Sequence, residues 1–210
     1  MSQPSNIISL AAEPAAPFME QLATCFAEMS QAYAAVAERY GFRCNGCEDN
    51  CCQTRFYHHT LLEYHYLSKG LRRLDNRIRK MIIEKAIRAI EKMEDADRRN
   101  ESVRIMCPLN HKGRCLTYVY RPMICRLHGI PHELRRPDGG RVHNPGCDEF
   151  FNQCRQCGKT EYIPFDRTPY YRKMAFLEKE LRRKTGHTAK LKLTIAQMVV
   201  QLTDSTHEID

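Results

Sequence analysis

Four cysteines lie close together near the start of the chain, in the segment 43–52, which reads RCNGCEDNCC. A short loop cannot bury four sulfur atoms as core packing, so this density of thiols indicates a chemical role. Thiolates are soft ligands for zinc and iron, and a two-residue spacer lets both sulfurs of a Cys-x-x-Cys motif reach one ion. The segment therefore predicts a metal centre with Cys44, Cys47, Cys51 and Cys52 as ligands.

More cysteines from later in the chain are candidates for the same centre. A single tetrahedral ion uses four ligands. The four early cysteines and four later ones give eight thiols. This number is compatible with two ions, with one cluster and spare thiols, or with fewer ligands and some purely structural cysteines. Adjacent cysteines point apart in an extended chain, so Cys51 and Cys52 can serve different ions. The later candidates are Cys107, Cys115, Cys125 and Cys147.

A second constellation of ligand-type residues follows, in which Cys154-x-x-Cys157 precedes Gly158. This pattern is typical of a zinc knuckle, and Cys147 with His143 would complete a Cys₃His site. In the alternative interpretation Cys147 belongs to the first centre, and the later two thiols are an uncoordinated or redox-active pair. The sequence leaves both interpretations open.

Five histidines are further candidates for completing a coordination sphere or carrying a proton. A surface or hydrogen-bonded histidine is the commoner case, so most of them are expected to be structural. His128 is the preferred candidate because it lies three residues after Cys125. The others are His58, His59, His65 and His132.

Amphipathic helices are predicted to position these loops. Between Phe18 and Tyr40 apolar residues recur every three or four positions, and Gly41 follows at a left-handed cap position. The sequence Thr60-Leu-Leu-Glu63 has the form of a capping box that begins a helix, which Gly70 is expected to interrupt. Periodicity and caps also predict helices over 71–93, 168–186 and 194–202.

One β-hairpin is predicted among the helices. The segments 103–107 and 115–120 have the pattern of two short strands, joined by a turn through Asn110 and Gly113. The segment 128–146 is predicted to be rich in loops. The predicted fold class is mainly α with a small β-hairpin, a helical scaffold around a loop-borne cysteine or metal cluster.

Length and composition bound the domain organisation. A chain of 210 residues suits one substantial domain. We predict a flexible leader over 1–17, a single cysteine-cluster domain over 18–186, and a C-terminal helix and tail over 187–210. No apolar run approaches the ~20 residues of a membrane span, and the N-terminal residues lack a signal-peptide pattern. We therefore expect a cytoplasmic protein without a membrane association, whose cysteines are ligands or reactive thiols.

The formal charge of +8 suggests an anionic partner. Metal-bound thiolates would offset part of this charge, so the basic residues can equally balance a thiolate-rich centre. The cations over 71–93 are typical of a solvated helix face, and no aromatic residues are interleaved to stack bases, which disfavours nucleic acid. The sequence has no dinucleotide-binding loop, P-loop or Ser-His-Asp signature, so the metal centre would have to support any catalysis.

The order of the cysteine motifs resembles the CxxCxxCC cysteine-cluster family over residues 42–147. The arginine-containing motif around Cys125 is the most specific part of this resemblance. One departure is that three residues, 48–50, precede the Cys-Cys pair where the family has two. The matching motifs are Cys44-x-x-Cys47, Cys51-Cys52, Cys107-Pro-Leu, Cys115-x-x-Tyr118 and Arg121-Pro-x-x-Cys125-Arg126.

Two hypotheses of function follow. The family is described as zinc- or iron-chelating and includes flagellin lysine N-methylase, so the resemblance implies Zn²⁺ or an iron–sulfur cluster of the 4Fe–4S type, in one or two sites. It also implies a redox or protein-modifying activity on a protein substrate or partner. The alternative hypothesis is a zinc-stabilised binding module without catalysis, whose basic helix over 71–93 binds an acidic partner or nucleic acid.

Overall fold

The structure is a computed structural model that describes residues 12–44, 51–158 and 161–204. These residues form seven α-helices and two small antiparallel hairpins, which confirms the mainly α fold class with a small β component. No helix in the described ranges is long and apolar enough to cross a membrane. The helices are α1 (Ala12–Tyr40), α2 (Leu61–Leu71), α3 (Asn76–Arg98), α4 (Met123–Leu127), α5 (Asp148–Cys157), α6 (Thr168–Thr185) and α7 (Ile195–Asp204).

Helix α2 is the centre of the fold, because nine of its eleven residues are buried. A helix with so little exposed surface has to be covered by other elements on every side. Leu61 and Tyr66 pack into a core cluster with α1, α4, α5 and α6. Tyr64 and Leu67 pack into another cluster with α3 and α7. The two core clusters therefore meet at α2.

The start of α2 is fixed by side chains from two places in the chain. The Thr60 hydroxyl accepts a hydrogen bond from the Glu63 backbone N–H, which confirms the predicted capping box. The N–H groups of Leu61 and Leu62 donate to the buried carboxylate of Glu178 on α6, at 2.9 and 3.1 Å. An anion is favourable at a helix N-terminus. Glu178 therefore ties α6 to the central helix.

The predicted helices at the two ends of the described chain are also present. Helix α1 begins at Ala12, inside the segment predicted to be a leader, and ends before Gly41, whose φ of 71° is left-handed as predicted. Helix α6 ends before the left-handed Gly186. At the start of α7, Thr194 and Gln197 exchange the hydrogen bonds of a capping box. Local cap chemistry thus fixed these boundaries.

The boundary between α2 and α3 differs from the prediction. Gly70 does not interrupt α2, which continues past it. Its lack of a side chain lets the Tyr120 ring lie against the backbone, since a Cβ at this position would be 2.7 Å from that ring. Helix α3 begins at Asn76, where the Asp75 side chain accepts a hydrogen bond from the Ile78 N–H. Gly70 is therefore a packing residue and not a helix breaker.

A hairpin is present at the predicted turn, but the predicted strands are wrong, because 103–107 forms no strand and Tyr118–Tyr120 is a 3₁₀ helix. Strands β1 (Asn110–His111) and β2 (Arg114–Cys115) have two residues each, and Gly113 adopts a left-handed conformation in the turn. A second hairpin, β3 (His132–Arg135) and β4 (Arg141–Asn144), lies where loops were predicted. Neither of its strands is fully buried on one face, so the alternation of apolar and polar residues that identifies a strand is weak.

The Glu178 contact leads to a prediction about stability. Glu178→Gln removes the charge that accepts two N–H groups of α2, so we expect the free energy of unfolding to fall by about 1.5–3 kcal/mol. Glu180→Gln is the matched control, because Glu180 pairs only with the exposed Arg183 among the described side chains, and it should change stability by about 0–1 kcal/mol. Urea unfolding followed by circular dichroism measures both variants, and equal effects would contradict the assigned role of Glu178.

Candidate metal centre

A cavity of about 650 Å³ is lined by residues of both core clusters. Its wall includes apolar residues of both clusters, such as Phe42 from the first and Met93 from the second. Seven of the ten cysteines predicted as ligands also line it. They are Cys44, Cys51, Cys52, Cys107, Cys115, Cys125 and Cys147.

The other four predicted ligands are not among the described residues that line this cavity. Cys47 lies outside the described residues, and so does the side chain of Cys157 at the end of α5. Cys154 is buried in the core cluster formed with α1 and α6. His143 is exposed on β4, where its ring lies against that of Tyr162.

The region predicted to be a zinc knuckle is the helix α5. Cys147 is its N-cap residue, and the Cys147 sulfur accepts a hydrogen bond from the Phe150 N–H at 3.4 Å. Phe150 and Cys154 are four residues apart, so they share one helix face, and both are buried in the core. Among the described side chains His143, Cys147 and Cys154 form no group suited to one ion. The sequence left the knuckle open because cysteine spacing alone does not distinguish a turn from a helix.

Backbone hydrogen bonds bring the early cysteine segment to the first hairpin. Cys51 and Cys52 lie in a 3₁₀ turn, and the Cys52 carbonyl accepts a hydrogen bond from the Cys107 N–H at 2.7 Å. The Cys107 carbonyl then accepts from the Asn110 N–H, and Asn110 pairs across the hairpin with Cys115. These contacts place three distant thiols on adjoining segments of backbone.

Cys125 is carried by α4, whose start is held by the buried Glu63. One carboxylate oxygen of Glu63 accepts a hydrogen bond from the Met123 N–H at 2.9 Å. The other accepts from the Thr60 hydroxyl, also at 2.9 Å. Glu63 therefore connects the beginning of α2 to the beginning of α4 and fixes the position of Cys125 relative to the central helix.

Arg126 holds the chain between Cys115 and Cys125. Its guanidinium donates hydrogen bonds to the carbonyls of Val119 and Arg121, on either side of Tyr120. The same group lies 4.3 Å above the Phe26 ring of α1. The planar guanidinium can serve all of these contacts at once, which an ammonium cannot. The second arginine of the Arg-Pro-x-x-Cys-Arg motif is therefore a structural clamp, largely buried in the wall of the cavity.

Two glycines allow Cys147 to reach the cavity. The Cys147 N–H donates to the Gly129 carbonyl at 2.8 Å. Gly129 and Gly146 have φ values of 126° and 101°, and a Cβ on Gly146 would lie 2.8 Å from the Gly129 oxygen. Only glycine accepts such angles and such an approach without strain. The N-terminus of α5 is thereby held close to the end of α4.

The thiols of the cavity influence one another's ionisation. Burial, and after it the charges of the neighbouring Cys115 and Cys52, raise the pKa of Cys125 to about 12. Burial also raises the pKa of Cys107 and of Cys115. A hydrogen bond from the Cys51 thiol lowers the pKa of Cys52. Thiolates this close repel each other, and a bound cation would reverse that penalty and deprotonate its ligands.

The chemistry of these donors fits a soft metal. Every cysteine whose side chain is described is a thiol and not half of a disulfide. Thiolates are the preferred ligands of zinc and of iron–sulfur clusters. Among the described residues no three His, Cys, Asp or Glu side chains are yet arranged as ligands of one ion. Coordination would therefore require these side chains to rotate toward a common point in the cavity.

Some residues of the cavity were not distinguished by the sequence. His128, the preferred histidine, does line it, and so does His58, which had no priority over its neighbours. Burial lowers the pKa of both imidazoles, which favours their neutral form. Apart from the capping box, nothing in the sequence predicted that Glu63 connects the starts of two helices. These placements depend on contacts between segments far apart in the chain.

The comparisons with known proteins leave the family open. No protein-family model, no curated protein and no solved structure matches this chain. The resemblance to the CxxCxxCC family therefore rests on the motifs in the sequence and stays a prediction.

The Arg126 clamp can be tested through stability and thiol access. Arg126→Lys removes the hydrogen bonds that the charged guanidinium donates to two backbone carbonyls, so the free energy of unfolding should fall by about 1–3 kcal/mol. Because the chain next to Cys125 is then held less firmly, Cys125 should also react faster with a thiol reagent. Arg135→Lys is the control, since its pair with Asp166 is partly exposed, and it should cost about 0–1 kcal/mol. Alkylation followed by mass spectrometry measures the reactivity of Cys125. Unchanged stability and unchanged reactivity would contradict the clamp.

Proposed function

We propose that this protein binds a metal in the thiol-lined cavity, as an iron–sulfur cluster or as Zn²⁺, and uses the centre in redox or protein-modifying chemistry. The observation that carries the proposal is the convergence of seven thiols from distant segments on one cavity. Two other cysteines, which we interpret as structural, differ from these seven in their position. Cys25 and Cys154 are buried on helices and do not line the cavity.

Four of the thiols are the best candidates for direct ligands. Cys52 contributes to the raised pKa of each of the other three, Cys107, Cys115 and Cys125. Four thiolates are what a tetrahedral zinc ion or an iron–sulfur cluster takes. Arg121 also lines the cavity and would offset part of their negative charge. An iron–sulfur cluster would supply electron transfer, whereas zinc would supply a Lewis acid or a structural link.

The size of the cavity supports chemistry over a purely structural metal. Its volume of about 650 Å³ is within the range of pockets that bind small molecules, roughly 300–1,000 Å³. A single ion needs far less space. The wall combines apolar side chains such as Ile105 with polar ones such as His58 and His128. We infer that the cavity holds the metal together with a group of a substrate, which the family resemblance would make a protein side chain.

The surface of α3 supports a second candidate function, a binding module with structural zinc. Arg77, Lys80 and Arg88 are exposed on this helix and present positive charge to solvent. An acidic protein is the partner this charge would attract. Visible absorbance and the salt dependence of partner binding distinguish the two candidate functions. A cluster gives broad visible absorbance, whereas a colourless zinc module would bind its partner through charge and release it as salt rises.

Metal analysis of cysteine variants tests the proposal. In protein purified without oxygen, we expect stoichiometric zinc, or iron with inorganic sulfide. Cys125→Ser removes a predicted ligand and should lower both metal content and thermal stability, because a structural metal contributes folding free energy. Cys25→Ser is the matched control, since Cys25 is a buried cysteine on α1 that does not line the cavity, and it should retain the metal.

Two results would count against the proposal. A wild-type protein that is folded but contains no zinc, iron or sulfide would exclude a resident metal. Equal metal content in the Cys125→Ser and Cys25→Ser variants would show that the cavity is not the site of binding.

A further inference from the structure

One histidine of the cavity has an unsatisfied ring nitrogen. His58 is 2% exposed, lines the thiol cavity, and its Nε2 atom has no hydrogen-bond partner among the described residues. Burying a polar atom without a partner costs free energy. The cost is recovered if Nε2 binds something held in the cavity.

Two backbone hydrogen bonds hold His58 in place, and its other ring nitrogen faces a carboxylate. The His58 N–H donates to the Leu193 carbonyl at 2.8 Å, and the Leu193 N–H donates back to the His58 carbonyl at 3.0 Å. The Nδ1 atom is 3.9 Å from a carboxylate oxygen of Glu63. The ring therefore has one nitrogen toward a buried carboxylate, which leaves Nε2 as its donor atom for a ligand.

Glu63 also connects His58 with the thiols. It accepts the Met123 N–H at the start of α4, the helix that carries Cys125. Its negative charge is close enough to Cys125 to contribute to the raised pKa of that thiol, after burial and the neighbouring cysteines. Glu63 therefore lies between His58 and the start of the helix that carries Cys125, and both His58 and Cys125 line the cavity.

We propose that Nε2 of His58 is a nitrogen ligand of the metal centre, completing a Cys₃His site with three thiols of the cavity, and that Glu63 is the positioning residue for the imidazole. This inference rests on the proposed function. A metal-binding histidine usually has its second ring nitrogen against a carboxylate or carbonyl, which fixes the tautomer and the orientation of the ring. A neutral imidazole in place of a fourth thiolate would also make the centre one charge less negative.

Another histidine provides the matched comparison. His65 on α2 also has a buried Nε2 without a hydrogen-bond partner among the described residues. It does not line the cavity, and its ring packs against Tyr64. An unpartnered nitrogen is therefore not sufficient for the assignment. The cavity and the carboxylate behind the ring distinguish His58.

The first test is spectroscopic and uses the unmodified protein. X-ray absorption is recorded at the edge of whichever metal the anaerobically purified full-length protein contains. We expect a first shell of both sulfur and nitrogen scatterers, with the multiple scattering of an imidazole ring. An all-sulfur shell would overturn the assignment of His58 while leaving the proposed function intact.

The second test compares His58→Gln with His65→Gln. Zn²⁺ is titrated into chelator-treated, reduced full-length protein against a competing chromophoric chelator. We expect His58→Gln to weaken Zn²⁺ binding by about 10-fold or more, as losses at metal sites commonly do, and His65→Gln to stay within about 2-fold of the wild type.

The outcomes separate the two proposals. Equal Zn²⁺ affinity in both variants would overturn the role of His58. Absence of Zn²⁺ binding in the wild type, together with absence of zinc, iron and sulfide from the anaerobically purified protein, would overturn the proposed function itself. Circular dichroism of the metal-free variants shows whether each is folded. If His58→Gln does not fold, the absorption spectrum of the wild type decides.

Discussion

The buried carboxylate of Glu63 is the contact on which the arrangement of the cavity depends. A buried carboxylate is stable only with donors around it, and here the Thr60 hydroxyl and the Met123 N–H supply them. These two donors belong to the starts of different helices. Because α2 is packed on all sides, its first turn is a fixed reference, and α4 with Cys125 is oriented relative to it. The thiol cavity is therefore built outward from the first turn of α2.

The sequence was most informative where structure is local. Gly41, Thr60, Gly186 and the Thr194 capping box lie where their cap chemistry placed them, because a helix end is decided by a few adjacent residues. The sequence was less informative at Cys154, where the cysteine spacing left a knuckle open although Phe150, four residues earlier, lies on the same buried helix face.

In the candidate site, too, the sequence predicted local features but not contacts between distant segments. Cysteine types and spacing predicted ten cysteine ligands. Seven of these cysteines line one cavity, and their binding of a metal stays a prediction. The sequence did not distinguish His58 from four other histidines. The position of its ring is set by contacts with Glu63 and Leu193, which form only in the folded chain. The clamp made by Arg126 was likewise hidden, since a charged residue beside a cysteine first suggests charge balance. Its hydrogen bonds to two carbonyls give it a structural role.

The central claim is that thiols from separate parts of the chain hold a metal in the cavity. Anomalous diffraction from crystals of anaerobically purified protein, recorded at the iron and zinc absorption edges, tests it most directly. We expect a peak in the cavity bounded by Cys52, Cys107, Cys115 and Cys125. Crystals with no peak in that cavity, or with disulfides among these cysteines, would contradict the account.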